Sequence, residues 1–233
     1  MSVVALVLAA GRGERFGGDV PKGFTPLAGR SLLAHSVLAL AASPEIDRIL
    51  PVVPADDEAR LEACRTELGG VEKLLEPVVG GAERQDSMRA GLAAVPDDTT
   101  FVAVHDAARP LVRPGLVGAV VRAAREHGAA LLAVPVADTL KRVVDGIVVE
   151  TPDRREYVRA QTPQVFRIDL LREGLAKAET TGRVVTDDAG LVEALGAPVH
   201  VVEGDPENLK ITVASDLAAA EALLARRRPE WEI

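Results

Sequence analysis

The chain runs to 233 residues, 48% of them apolar, with 35 acidic against 27 basic side chains and a net charge of −8. That is length and apolar content for one sizeable α/β domain, residues 1–233, and short for two. The acidic balance excludes a chain built to bind nucleic acid or an anionic membrane surface, and a single cysteine, Cys64, leaves no internal disulfide and fits a reducing cytoplasm.

In chain order, Val3-Val4-Ala5-Leu6-Val7-Leu8-Ala9-Ala10 is a continuous apolar run that predicts a buried strand of a parallel sheet. It is too short for a transmembrane helix and lacks a basic leader, so neither a membrane span nor a signal peptide is expected. The run empties into Gly11-Arg12-Gly13-Glu14-Arg15-Phe16, with Pro21-Lys22-Gly23-Phe24 close behind. Glycines let backbone N–H groups approach an anion without a Cβ in the way, and Arg15 and Lys22 add full positive charge at the same place. A loop of this kind after the first strand is built to hold phosphates. It is not a P-loop, because Gly-Lys-Ser/Thr occurs nowhere in the chain. It departs from the dinucleotide fingerprint as well: Gly17 comes one place late, and about 20 positions on, where an acid belongs, stand Arg30 and Ser31.

Ser31 reads as the N-cap of a helix carrying Leu33, Val37 and Leu40 and ending near Ser43-Pro44. Strands are predicted over 46–53, 71–79, 101–104 and 129–134, and helices over 56–68, 85–94 and 115–127. Alternation of this kind with short links predicts a doubly wound, mostly parallel α/β sheet. The rhythm then breaks. Residues 139–144 and 147–150 are joined by Asp145-Gly146, the strongest short hairpin signal. An isolated two-stranded hairpin is marginal in water, so its valines need cover. A second subunit is one natural cover, which makes residues 137–160 a protruding dimerisation arm; a hairpin folded back on its own domain is the alternative. Helix–strand alternation resumes at Ile168, with a strand over 199–202, a closing helix over 214–226 and a frayed tail over 226–233.

Polar residues collect where strands end. They are Arg15 and Lys22, then Asp106 and Arg109 within His105-Asp106-Ala107-Ala108-Arg109-Pro110, and Lys210 within Asn208-Leu209-Lys210. Ligands of open α/β sheets sit at the carboxyl ends of the strands, so these groups are expected to converge. A cation-rich pocket with one carboxylate suits a nucleoside triphosphate with Mg²⁺, Asp106 helping to hold the metal. Each residue also has a plainer reading. Arg15 and Lys22 could be solvated loop charges, Asp106 a cap for the helix after Arg109-Pro110, and Arg154 one member of the surface cluster Asp153-Arg154-Arg155-Glu156. His35, His105, His127 and His200 read as structural, with no second His at metal-ligand spacing from His105. Cys64 reads as an inert packing residue.

Ala9-Ala10-Gly11-x-Gly13-x-Arg15 followed by Pro21-Lys22 resembles the opening of the nucleotidyltransferases that activate sugars and alcohols. The further segments His105–Pro110, Asp138-Thr139-Leu140-Lys141, Gln161-Thr162-Pro163-Gln164-x-Phe166, Thr186-Asp187-Asp188-Ala189 and Asn208-Leu209-Lys210-Ile211-Thr212 resemble, in order, one family: 2-C-methyl-D-erythritol 4-phosphate cytidylyltransferase, of the non-mevalonate isoprenoid pathway. The resemblance implies a Rossmann-like nucleotidyltransferase sheet and transfer of CMP from CTP to methylerythritol phosphate, with Mg²⁺ and release of pyrophosphate. It implies that Arg15 and Lys22 grip the triphosphate, and that the backbone of Ala9, Ala10, Gly11 and Gly13 lines the nucleotide. It puts Gly81 and Ser87 near cytosine, and Asp106 and Ala107 at the ribose and metal. Arg154 and Lys210 position methylerythritol phosphate with help from Arg109, Thr139, Thr162 and Thr186, and in this family the arm crosses between subunits, so that Thr139 and Arg154 serve the neighbouring site. Small departures from the family pattern fall at Gly23-Phe24, Ala82 and Gly190. A phosphate monoester is largely a dianion at neutral pH and needs no general base, so no catalytic His, Ser or Cys is assigned. The rivals are ribitol 5-phosphate cytidylyltransferase, which shares the first loop and Thr-Pro-Gln, a guanylyltransferase of the molybdenum cofactor type, and a non-catalytic nucleotide-binding protein.

Overall fold

The first apolar run becomes β1 (Ser2–Leu8), with Val3 to Val7 fully buried. Val3, Ala5 and Val7 enter one core cluster and Val4 and Leu6 a second, so the strand is covered on both faces, as the uninterrupted apolar run requires. The structure, a computed structural model, describes residues 1–11, 21–54, 58–81, 83–182 and 185–227. A small ribbon, β2 (Pro26–Leu27) and β3 (Arg30–Ser31), leads into α1 (Leu32–Ala41), where Ser31 is the N-cap and accepts from Ala34 N–H. Then come β4 (Arg48–Val53), α2 (Glu58–Leu68), β5 (Val78–Val79), α3 (Arg84–Ala94), β6 (Thr99–Asp106), α4 (Pro114–His127) and β7 (Ala129–Pro135). The hairpin β8 (Arg142–Val144) and β9 (Ile147–Glu150) precedes β10 (Val158–Arg167), α5 (Ile168–Thr181), α6 (Ala189–Glu193), β11 (His200–Glu203) and α7 (Ala214–Arg226).

Among the described residues the main sheet has the order β11-β7-β10-β6-β1-β4-β5. Its pairings are parallel except at β10, which runs antiparallel to both neighbours. Leu33, Val37 and Leu40 of α1, Cys64 and Leu68 of α2, and Val117, Val120 and Val121 of α4 pack on one face. Met88 and Leu92 of α3, Leu171 and Leu175 of α5, and Leu191 and Val192 of α6 pack on the other, which is the doubly wound α/β arrangement expected. Helix α7 closes a third cluster with Leu27, Leu111 and Ile211 through Ala220.

Two expectations need correction. The predicted strand over 71–79 shrinks to Val78–Val79, with Leu74 bridging Ile49; Glu72, Lys73 and Glu76 leave little apolar face to bury. Residues 158–167, read from sequence only as a motif, form a long central strand. Pro163 lacks an N–H for the ladder, and the register shift between Ala160 and Gln164 lets it sit there. The hairpin forms as expected, with positive φ at both Asp145 and Gly146. It is not folded back onto the sheet: residues 141–151 are all exposed, Ile147 by 68%. His127 and His200 stack on each other with ring centroids 3.6 Å apart. The tail expected over 226–233 lies outside the described residues from 228 onward.

Candidate active site

A cavity opens at the carboxyl ends of β1 and β6. Beyond β1 its wall is Leu8, Ala9, Ala10 and Gly11, with Ala9 N–H donating to Val52 O at 2.8 Å to keep the chain on β4. Lys22 and Gly23, in a single 3₁₀ turn, form a second wall. A Cβ on Gly23 would stand 2.9 Å from Ala9 Cβ, so the turn closes on the strand end only with glycine there. Gly81, Glu83, Arg84 and Ser87, around the start of α3, supply the third wall. Behind it, a Cβ on Gly80 would come within 2.7 Å of both Ala10 Cβ and Ser87 Oγ, and one on Gly81 would collide with the Asp86 side chain, which explains the Gly80-Gly81 pair. Asp106, Ala107 and Ala108 form the floor, and Lys210 reaches in from the loop after β11.

The floor carries the charge. Asp106, the last residue of β6, is 6% exposed; its Oδ1 accepts from Arg84 Nη1 at 2.6 Å and its Oδ2 stands 2.8 Å from Lys210 Nζ. The second arm of Arg84 donates to Asp188 Oδ2 at 2.6 Å. Burial works against the Asp106 charge, but Arg84 and Lys210 outweigh it and hold the carboxyl well below the usual range. Burial likewise opposes the Arg84 charge, and Asp106 and Asp188 more than restore it, so its pKa lies above the ordinary value. Asp188 is shifted the other way: burial raises it, Arg84 opposes, and the nearby Asp106 and Asp187 carboxylates add to the rise. Burial also takes His105 down to about 4, leaving a neutral ring.

Side-chain amides fix the loops that bring these charges in. Gln161 Nε2 donates to Asp205 O at 2.8 Å and Asn208 O at 3.3 Å, while its Oε1 accepts from Asp205 N–H, so β10 holds the loop that carries Lys210. Gln164 Nε2 donates to Asp187 Oδ2 at 2.9 Å and its Oε1 accepts from Ala189 N–H at 2.9 Å, which fixes the loop carrying Asp188. The Gln-Thr-Pro-Gln segment is thus a pair of loop clamps with the proline between them.

Of the residues singled out from sequence, Ala9, Ala10, Gly11, Lys22, Gly81, Ser87, Asp106, Ala107 and Lys210 are brought together around this cavity. Arg15 and Gly13 lie outside the described residues, as does Ala82. Thr162 is buried behind β6, where its hydroxyl accepts from Asp106 N–H at 3.1 Å and meets His105 Nδ1 at 3.1 Å. Arg109 donates to Asn208 O at 2.8 Å and Ala160 O at 3.2 Å, bracing the Lys210 loop from outside the cavity. Thr186 is exposed, and Thr139 and Arg154 are exposed on the arm segment, Arg154 donating to Ala137 O. Asp106 is not a helix cap: Arg113 occupies that place for α4. Arg84 and Asp188 were missed as site residues. Arg84 lies just before the helix predicted over 85–94 and close behind Gly80-Gly81, which is the available signal; Asp188 stands in Thr186-Asp187-Asp188-Ala189, where the resemblance gives a role to Thr186 alone.

Among the described residues no three His, Cys, Asp or Glu side chains gather as a ready-made metal site. Asp106 is nevertheless a hard oxygen donor at the cavity floor, and each carboxylate oxygen has a lone pair beyond the one its cation uses. One or two carboxylates with substrate phosphates are the usual donor set for Mg²⁺, so the residues fit such an ion.

Residues 3–226 match the model of the IspD family, 2-C-methyl-D-erythritol 4-phosphate cytidylyltransferase. The chain is 50% identical to the 2-C-methyl-D-erythritol 4-phosphate cytidylyltransferase of Nocardia farcinica, over 97% of this chain and 95% of the relative. It is 49% identical to that of Saccharopolyspora erythraea, over 97% and 100%. The crystal structure of 4-diphosphocytidyl-2C-methyl-D-erythritol synthase from Anaerococcus prevotii superposes with a TM-score of 0.85 at 30% identity, covering 97% of this chain and 99% of that one. With residues 3–226 matched by the family model and relatives about half identical over nearly its whole length, the chain belongs to the 2-C-methyl-D-erythritol 4-phosphate cytidylyltransferase family.

Proposed function

We propose that this chain, as a single nucleotidyltransferase domain, transfers CMP from CTP to the phosphate of 2-C-methyl-D-erythritol 4-phosphate, releasing pyrophosphate. The observation that carries this reading is the Asp106–Lys210 contact at the floor of a cavity walled by small residues and Lys22. Backbone approach at Ala9, Ala10 and Gly11, with Gly81 and Ser87 opposite, suits a nucleotide lying along the strand ends. Asp106, beside Ala107 at the ribose, would hold Mg²⁺ together with the triphosphate. When bound, that ion supplies charge neutralisation on the phosphate oxygens.

The acceptor phosphate is largely a dianion at neutral pH, so the chain has no proton to remove. An acceptor oxygen bonds to the α-phosphorus as the bond to the β-phosphate bridging oxygen breaks. What the protein contributes is alignment and positive charge. Lys22 and Arg15 take the triphosphate. Lys210 and Arg154 take the acceptor phosphate, supported by Arg109, Thr139, Thr162 and Thr186. The exposed apolar residues of β8 and β9 support a homodimer joined through residues 137–160, Thr139 and Arg154 then reaching the neighbouring cavity. The absence of a long apolar helix among the described residues and the lone buried Cys64 suit a cytoplasmic setting.

The test is pyrophosphate release with CTP and Mg²⁺, using methylerythritol phosphate and ribitol 5-phosphate as parallel acceptors. Release with the first alone is expected. Release with ribitol 5-phosphate instead moves the acceptor assignment, and release with neither removes it.

A further inference from the structure

The cavity wall holds an arginine, Arg84, to which the transfer reaction as described gives no role. Arg84 opens α3 and spans two carboxylates from distant parts of the chain, Asp106 at 2.6 Å and Asp188 at 2.6 Å. Both carboxylates are buried. Asp106 lines the cavity; Asp188 does not, and is held behind it by the Gln164 clamp on Asp187 and Ala189. A guanidinium beside an anion-binding cavity would ordinarily turn its fork toward phosphate. Here one arm of the fork is given to a carboxylate in the cavity and the other to a carboxylate behind it. Arg84 and Lys210, with Arg109 at 3.9 Å, face Asp106, and Arg84 also faces Asp188, so each buried carboxylate of the floor is matched by a cation before a triphosphate enters.

We propose that Arg84 is a positioning residue for the nucleotide: it holds Asp106 in one orientation and neutralises it, while Asp188 anchors Arg84 to Asp106 and away from the incoming triphosphate. Arg84 has this role only if the cavity is the CTP site proposed above. Without Arg84, two buried carboxylates share one cation fewer in a cavity that must accept an anion. Without Asp188, Arg84 is released toward the phosphates, where it grips the nucleotide and leaves Asp106 unaligned.

Steady-state pyrophosphate release and calorimetric binding of CTP·Mg²⁺ without acceptor are compared for the wild-type protein, Arg84→Gln, Arg84→Lys and Asp188→Asn. Arg84→Gln is expected to weaken CTP binding and raise its KM by about 30-fold or more, the scale for truncating one partner of a buried charge pair, with the acceptor KM unchanged. Arg84→Lys keeps the charge but lacks the two-armed fork; it is expected to recover part of the CTP affinity with a near-wild-type thermal midpoint. Asp188→Asn is expected to bind CTP at least as tightly as wild type and to turn over about 10²-fold more slowly, the scale of a small misplacement of reacting groups. A purely structural role would lower the thermal midpoint and the active fraction, reducing apparent kcat with both KM values unchanged. That pattern in the Arg84 variants overturns the proposal, as does wild-type turnover in Asp188→Asn. If Arg84→Gln does not fold, Arg84→Lys decides: wild-type CTP affinity and kcat in that variant overturn it. A wild-type protein that neither binds CTP nor releases pyrophosphate overturns the reading of the cavity itself, which separates the two failures.

Discussion

Lys210 Nζ lies 2.8 Å from Asp106 Oδ2, joining a side chain from the loop after β11 to the last residue of β6. The cation proposed for the acceptor phosphate thus rests on the carboxylate proposed for the nucleotide, and the two halves of the reaction meet at one ion pair. Lys210→Ala is expected to lower kcat/KM by about 10²-fold or more, as for loss of one preorganised charge at a reacting centre. Lys210 is exposed and Arg84 still pairs with the buried Asp106, so the thermal midpoint should fall by only a few degrees. Steady-state pyrophosphate release beside a thermal melt tests both halves; a wild-type rate removes Lys210 from the mechanism.

Lys22 sits in a turn that packs on the end of β1 through Gly23. Lys22→Ala should therefore leave the circular dichroism spectrum and melting curve intact while lowering turnover by about 10²-fold or more. Near-normal turnover, or an unfolded variant, would argue against the assigned role.

Gln161 is 5% exposed and its amide serves the backbone of residues 205 and 208. Truncation to alanine leaves the partly buried Asp205 N–H without its Gln161 partner, at a cost of about 1 kcal/mol, and loosens the loop that delivers Lys210. Gln161→Ala is expected to lower the thermal midpoint and kcat together, and Gln161→Glu is not expected to rescue either, because a carboxylate cannot donate to Asp205 O and Asn208 O. An unchanged midpoint and kcat would mean that the Gln161 amide does not hold the Lys210 loop.

Burial, with Glu67 adding to it, pushes the Cys64 thiol from 9.0 up to about 11. At pH 8 the thiolate is then about 100-fold rarer than in the unfolded chain. Iodoacetamide should label the native protein at least that much more slowly than the urea-unfolded protein, and equal rates would contradict the burial. Because the folded value is the higher one, this contribution to stability is complete below about pH 9. It is lost as pH rises toward about 11, where the unfolded chain gives up its proton first.

The exposed apolar strands of the hairpin make a separate prediction about assembly. Ile147→Glu combined with Val148→Glu should leave the melting transition of the sheet intact and halve the mass measured by sedimentation if residues 137–160 join two copies. A wild-type mass in that variant would place the interface elsewhere.

What could be read from sequence divides along physical lines. β1 was plain because five consecutive residues are fully buried on both faces, and the hairpin because Asp145-Gly146 is nearly self-sufficient as a turn. Helix α7 is legible from Ala214 to Arg226, since its spacing is local. β10 was hidden because a strand interrupted by Pro163 gives no clean alternation and its partners lie far away in the chain. Arg84 and Asp188 were hidden for a similar reason. They are 104 residues apart, and only the folded sheet makes them neighbours.

The place of β10 has a consequence for how the chain is made. In the strand order it is the hydrogen-bonded link between β6-β1-β4-β5 and β7-β11, and it is translated after β1, β4, β5, β6 and β7. A nascent chain can therefore collect the four-stranded part as soon as β6 has emerged, while β7 must wait for a partner not yet synthesised. The antiparallel strand is the late keystone of this sheet. Until it is seated and the ribosome has delivered residues 188 and 210, Arg84 and Asp106 wait on an unfinished floor. Cytidylyl transfer competence thus arrives with the final stretch of the polypeptide rather than with its nucleotide loop.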